Sequence, residues 1–136
     1  MQRRLFLTLA ASLLAPLSAA AEERTYYEPG LAEAAMAEGQ VILLDFFAPW
    51  CSTCRAQERV LTELREANPA YDEAITFITV DWDTYGDGEL SRRLEVPRRS
   101  TLVALDGDTE LDRVVAATGR DEIAALLDAA LSAAAE

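Results

Sequence analysis

Val41-Ile-Leu-Leu-Asp-Phe-Phe-Ala-Pro-Trp-Cys-Ser-Thr-Cys54 decides how this chain folds. Its first seven residues are an almost continuous apolar run, the pattern of a strand buried on both faces of a sheet. Beyond it, from residue 51 to residue 67, the apolar or small positions Cys54, Val60, Leu61 and Leu64 recur at helical spacing until Asn68-Pro69 stops the helix. A buried strand therefore runs directly into a helix, and the only two cysteines of the chain, Cys51 and Cys54, stand at the junction. A thiolate at Cys51 faces unpaired backbone N–H groups and the positive end of the helix dipole, which lower its pKa from about 8.5 toward neutrality. Cys54, one turn later on the same face, can close a disulfide with it. Cys51 could then attack a substrate disulfide and Cys54 could resolve the mixed disulfide. Two other readings stand beside this one. A structural disulfide here would close too small a loop to stabilise much through chain entropy. Half of a Cys₄ metal site would lack its other two ligands within one chain.

Outward from the junction, strands and helices alternate. Pro29-Gly30 open a helix over residues 31–38 that Gly39 closes. A second strand is expected over residues 75–81, followed by a loop, Trp82-Asp-Thr-Tyr-Gly-Asp-Gly88, and a short helix over 89–94. Strands over 101–105 and 110–116 flank Asp106-Gly107, a hairpin signal. Asp121 is expected to cap a last helix with Ile123, Leu126, Leu127 and Leu131 on its apolar face. The order βαβ, then αββα, predicts an α/β domain over residues 22–136, a mixed central sheet flanked by helices.

Composition narrows the chemistry. Among 136 residues, 24 are acidic and 12 basic, and every basic residue is Arg, for a net charge of −12. Without Lys or His, the chain has no Ser-His-Asp or Cys-His catalysis, no His-ligated metal, no Schiff-base lysine and no P-loop. Its negative charge disfavours nucleic acid and anionic lipid surfaces as partners. Asp81, Asp83, Gly86 and Glu89 sit in an acidic loop that lacks the bidentate glutamate of a calcium site, so it reads as a solvated loop. At the N-terminus, Arg3 and Arg4 precede an apolar run over residues 5–17 and an A-x-A site at Ala19 and Ala21. These are the parts of a secretory signal over residues 1–21, cleaved after Ala21 to leave no membrane anchor. Arg3-Arg4-Leu5-Phe6-Leu7 also resembles a twin-arginine export signal, and an ordinary signal with a basic start fits equally. The expected location is the bacterial periplasm.

The segment Asp45-Phe-Phe-Ala-Pro-Trp-Cys-x-x-Cys54 resembles the hallmark of the thioredoxin superfamily, and the resemblance covers nearly all of the expected mature chain. It implies Cys51 as nucleophile and Cys54 as resolving cysteine, joined in the oxidised state by a redox-active disulfide with no further cofactor. It also implies that Asp45 takes and returns the proton of Cys54. Desolvation in an apolar strand agrees, since it raises a carboxyl pKa toward the range of acid–base work. The other role open to Asp45 is that of a hydrogen-bonded core carboxylate.

This chain departs from the family at two places. Family members present a cis-proline followed by Thr on the loop facing the cysteines. Here Ser100 precedes Thr101, and Pro97 lies three residues too early. The Arg99–Ser100 peptide is expected to be trans, because a non-proline cis bond costs about 2.5 to 4 kcal/mol. The Ser100 amide or hydroxyl is expected within hydrogen-bond reach of Cys51. The second departure is Ser52-Thr53 between the cysteines, from which no redox potential can be read. Trp50, Ser100 and Thr101 are the expected substrate-binding residues, with Trp50 a partly exposed lid. Arg55 is a candidate to steady the thiolate, and Arg92, Arg93, Arg98 and Arg99 a candidate basic cluster that steers an acidic partner or biases the thiolate, with a merely solubilising role as the other reading. The expected function is an exported, monomeric oxidoreductase that reduces protein disulfides, with a membrane electron carrier as a second partner. The alternative is a non-catalytic module holding a metal, an iron–sulfur cluster or a protein through the two cysteines.

Overall fold

The computed structural model describes residues 24–136. The expected export segment and its cleavage point lie outside the described residues. The elements are α1 (Leu31–Ala37), β1 (Val41–Phe47), α2 (Ser52–Ala67), α3 (Ala70–Ala74), β2 (Thr76–Asp81), α4 (Trp82–Tyr85), α5 (Glu89–Arg93), β3 (Thr101–Asp106), β4 (Thr109–Val115) and α6 (Arg120–Ala134). The sheet order is β2-β1-β3-β4. β1 pairs parallel with β2 and antiparallel with β3, so it has a neighbour on each side and is buried along its whole length, as its apolar run requires. Gly107, with φ 55°, supplies the left-handed residue between β3 and β4.

Successive side chains of β1 point to opposite faces, and each face has its own core. Val41 and Leu43 pack with Leu61 and Leu64 of α2 and with Ile123, Leu126 and Leu127 of α6. Ile42, Leu44 and Phe46 pack on the other side with Met36 of α1 and Leu90 of α5. The result is a three-layer α/β/α domain with the mixed, helix-flanked sheet expected from the element order. Among the described residues no helix is long and apolar enough to cross a membrane.

Three local expectations are corrected. The stretch after β2 is not all loop: Asp81 accepts a hydrogen bond from the Asp83 N–H and starts the single turn α4. Pro69 does not only end α2. It stands at the N-cap of α3, where a missing N–H costs nothing. The last helix begins two residues earlier than expected, with Gly119 at its N-cap and Asp121 inside the first turn, where its charge still faces the positive end of the dipole.

Candidate active site

Cys51 is the N-cap of α2, and its Sγ accepts a hydrogen bond from the Cys54 N–H at 3.2 Å. Both cysteines are free thiols, Cys51 almost fully buried and Cys54 fully so. They pack with Phe47 and Ala48 at the C-terminal end of β1. From the loop opposite, Ser100 places its Oγ 3.2 Å from the Cys51 Sγ and 3.0 Å from the Cys54 Sγ. One hydroxyl thus touches both sulfurs. The Arg99–Ser100 peptide is trans. The Ser100 amide donates to the Phe46 carbonyl at 2.8 Å, so it is the hydroxyl and not the amide that faces the thiols.

These contacts separate the two thiols in acidity. Burial opposes a thiolate at Cys51, but hydrogen bonds from the Cys54 thiol, the Ser100 hydroxyl, the Cys54 N–H and the Arg99 side chain outweigh it and hold the pKa down to about 7. Cys54 is pushed up, by its own burial and by the proton it shares with Cys51. Near neutrality the negative charge therefore resides on the first cysteine and the proton on the second. Ser100→Ala removes one of the donors to a charged sulfur and is expected to raise the Cys51 pKa by about one unit. The pH dependence of its alkylation rate measures this, and an unchanged profile would make Ser100 a bystander.

The remaining expected residues are distributed as follows. Trp50 is 56% exposed beside Cys51, and its Nε1 donates to both carboxylate oxygens of Asp83 at 3.0 Å. The Arg99 guanidinium lies 4.5 Å from the centre of the Trp50 ring. The arginine that reaches the thiol is thus Arg99, and Arg55 is exposed on α2. Within the expected basic cluster, Arg93 pairs with Asp108 of the hairpin and Arg98 donates to the Arg99 carbonyl. Thr101 is fully buried, and its hydroxyl donates to the Arg98 carbonyl at 2.7 Å, holding the loop's own backbone.

Asp45 sits on the face of β1 that also carries Phe47, 8% exposed, with Oδ1 unpartnered among the described residues. Burial pushes its carboxyl up to about 7, with the Arg24 guanidinium pulling the other way. The side chain lines a cleft of about 350 Å³ shared with Arg24, Glu58, Thr62 and Thr79, in which Arg24 and Glu58 form an ion pair. A carboxyl with this pKa can both take and return a proton at neutral pH.

One buried polar residue of the site was missing from the sequence reading. Gln57 is fully buried, and its Nε2 donates to the Ser100 and Ala117 carbonyls, each at 2.9 Å. Its position offered a signal. Cys54, Gln57, Leu61 and Leu64 form the buried stripe of α2, and a polar side chain on such a stripe needs partners in the core.

The model of the thioredoxin family matches residues 25–129. Thioredoxin H-type of Brassica campestris is 33% identical over 95 residues, which are 70% of this chain and 72% of that protein. The thiol:disulfide interchange protein DsbD 2 of Pseudomonas aeruginosa is 32% identical over 87 residues, 63% of this chain and only 15% of that relative's length. Among solved structures, Trxlp from Edwardsiella tarda EIB202 superposes with a TM-score of 0.66 at 29% identity, covering 76% of this chain and 97% of that one.

Proposed function

Because the chain belongs to the thioredoxin family of thiol–disulfide oxidoreductases, we propose that it reduces protein disulfides outside the cytoplasm through Cys51 and Cys54. Exchange of this kind uses the dithiol itself and no external cofactor. The observation that carries the direction is the acidity of the pair: Cys51 lies near 7 and Cys54 is raised. A first cysteine with a strongly depressed pKa stabilises the reduced form and makes an oxidant. One near neutrality leaves the dithiol ready to give up its electrons.

In the forward reaction the Cys51 thiolate attacks one sulfur of a substrate disulfide, forming a mixed disulfide and releasing the substrate's other sulfur as a thiolate. Cys54 then loses its proton to Asp45 and attacks the Cys51 sulfur. The Cys51–Cys54 disulfide forms, the substrate leaves as a dithiol, and two electrons have passed to it. Trp50 and Arg99 border the sulfur that meets the substrate. A membrane electron carrier would return the enzyme to its dithiol form, and the likeness to a thiol:disulfide interchange protein supports a redox partner. Export is supported by Arg3, Arg4 and the apolar run that follows them.

Equilibration against glutathione tests the direction. A potential near the value of about −270 mV found for thioredoxins is expected, and one near about −120 mV would reverse the reading to an oxidant. The mass of protein recovered from the periplasmic fraction of a bacterial host tests export, with a chain beginning at Glu22 expected and a full-length cytoplasmic chain the contrary result.

A further inference from the structure

We infer that Gln57 is a positioning residue for the exchange reaction, holding the Ser100 hydroxyl against both sulfurs. This rests on Cys51 being the nucleophile proposed above. The backbone that carries Ser100 does not stay in place through its own preferences. Ser100 has φ 63° and Ala116 φ 62°, both in the left-handed region that side chains other than glycine seldom occupy. Such conformations persist only where the surroundings over-determine them.

Here the two strained segments are tied together. The Ala116 N–H donates to the Ser100 carbonyl at 2.8 Å. That same carbonyl accepts from Gln57 Nε2, which also donates to the Ala117 carbonyl. The single amide nitrogen therefore clamps both segments onto α2. It does so on the helix that carries the cysteines, three residues beyond Cys54 and on the same face. The distance from Ser100 Oγ to the thiols is thus set by α2 itself, through a side chain whose amide bonds to backbone carbonyls and to neither sulfur. Gln57 Oε1 has no hydrogen-bond partner among the described residues, so placing this amide in the core costs stability.

Gln57→Met keeps the length of the side chain and removes both donors. The expected result is a rise of about one unit in the Cys51 pKa, read from the pH dependence of alkylation, and about tenfold slower alkylation at pH 6. In a Ser100→Ala background the same substitution is expected to move the pKa no further, since Gln57 acts through that hydroxyl. Full additivity in the double variant, or lowered stability with an unmoved profile, overturns the inference and leaves Gln57 a packing residue. If Gln57→Met does not fold, Gln57→Asn keeps an amide in the core but draws it short of the two carbonyls, and the same shift is expected. A wild-type Cys51 that titrates like an ordinary thiol overturns the exchange reading itself. An unmoved variant beside a wild type of lowered pKa overturns only the role of Gln57.

Discussion

Cys54→Ser is expected to stop exchange half-way and leave the protein covalently attached to its substrates. Cys51 keeps the Cys51 N-cap position, the Ser100 hydroxyl at 3.2 Å and the N–H of residue 54, so its thiolate still attacks. The serine hydroxyl cannot displace the substrate sulfur, and the mixed disulfide accumulates. With its pKa near 7, Cys51 is about half ionised at neutral pH, against a few per cent for an ordinary thiol, a gain of more than tenfold in reactive form. Non-reducing electrophoresis of extracts from cells making the variant is expected to show adducts that collapse on reduction, with none from Cys51→Ser. Adducts on Cys51→Ser but not on Cys54→Ser would exchange the roles of the two cysteines.

Asp45→Asn is expected to stabilise the protein and slow the exchange at once. The folded-state carboxyl, at about 7, lies above its ordinary value near 4, so between these limits the folded protein holds a proton that the unfolded chain has lost. Stability therefore falls as pH rises from about 4 to about 7, and above that the whole cost of the buried charge is present. Asparagine removes it. The gain at pH 7.5 is of order 3 kcal/mol and is expected to vanish near pH 4. Denaturant unfolding at the two pH values measures this. With Asp45 as the proposed base of Cys54, resolution of a preformed mixed disulfide at pH 7 is expected to slow in the same variant by about 10²-fold, the lower end of the range for general acid–base catalysis. A less stable variant with normal resolution would make Asp45 a structural carboxylate.

What the sequence disclosed follows from how far each signal reaches along the chain. The strand Val41–Phe47 was legible to the residue because an almost continuous apolar run of seven, with a helical stretch before it and another after it, has one reading. The helix of the cysteines was legible from its stripe. The five residues of α3 and the four of α4 are too short to repeat a period of about 3.6, so no amphipathic pattern announced them. Gly119 took the cap expected of Asp121 because the chain leaves the Ala116 turn in extended backbone and reaches helical geometry two residues sooner. At the site, Cys51, Cys54 and Asp45 were visible because their spacing is local. Ser100 was visible as a departure from the family pattern. Arg99 was visible only as one of four clustered arginines, and Gln57 was not visible, since an ordinary helix former gains its meaning from a contact 43 residues away.

The two outer strands of the sheet bear on how the protein behaves in a crowded compartment. An open sheet has two rims of unpaired backbone groups, each a template on which another chain can add a strand. On the β2 rim, the described segment before α1 pairs at Thr79: the Thr79 N–H donates to the Thr25 carbonyl and the Tyr27 N–H to the Thr79 carbonyl, both at 2.8 Å. This partial strand closes the middle of that rim with the chain's own backbone. The β4 rim carries Glu110, Asp112 and Arg113, charges that an incoming strand would have to strip of water. With one rim partly covered and the other charged, the sheet offers an approaching chain little backbone to extend, which leaves the cysteine end of the fold as the place where a disulfide is met.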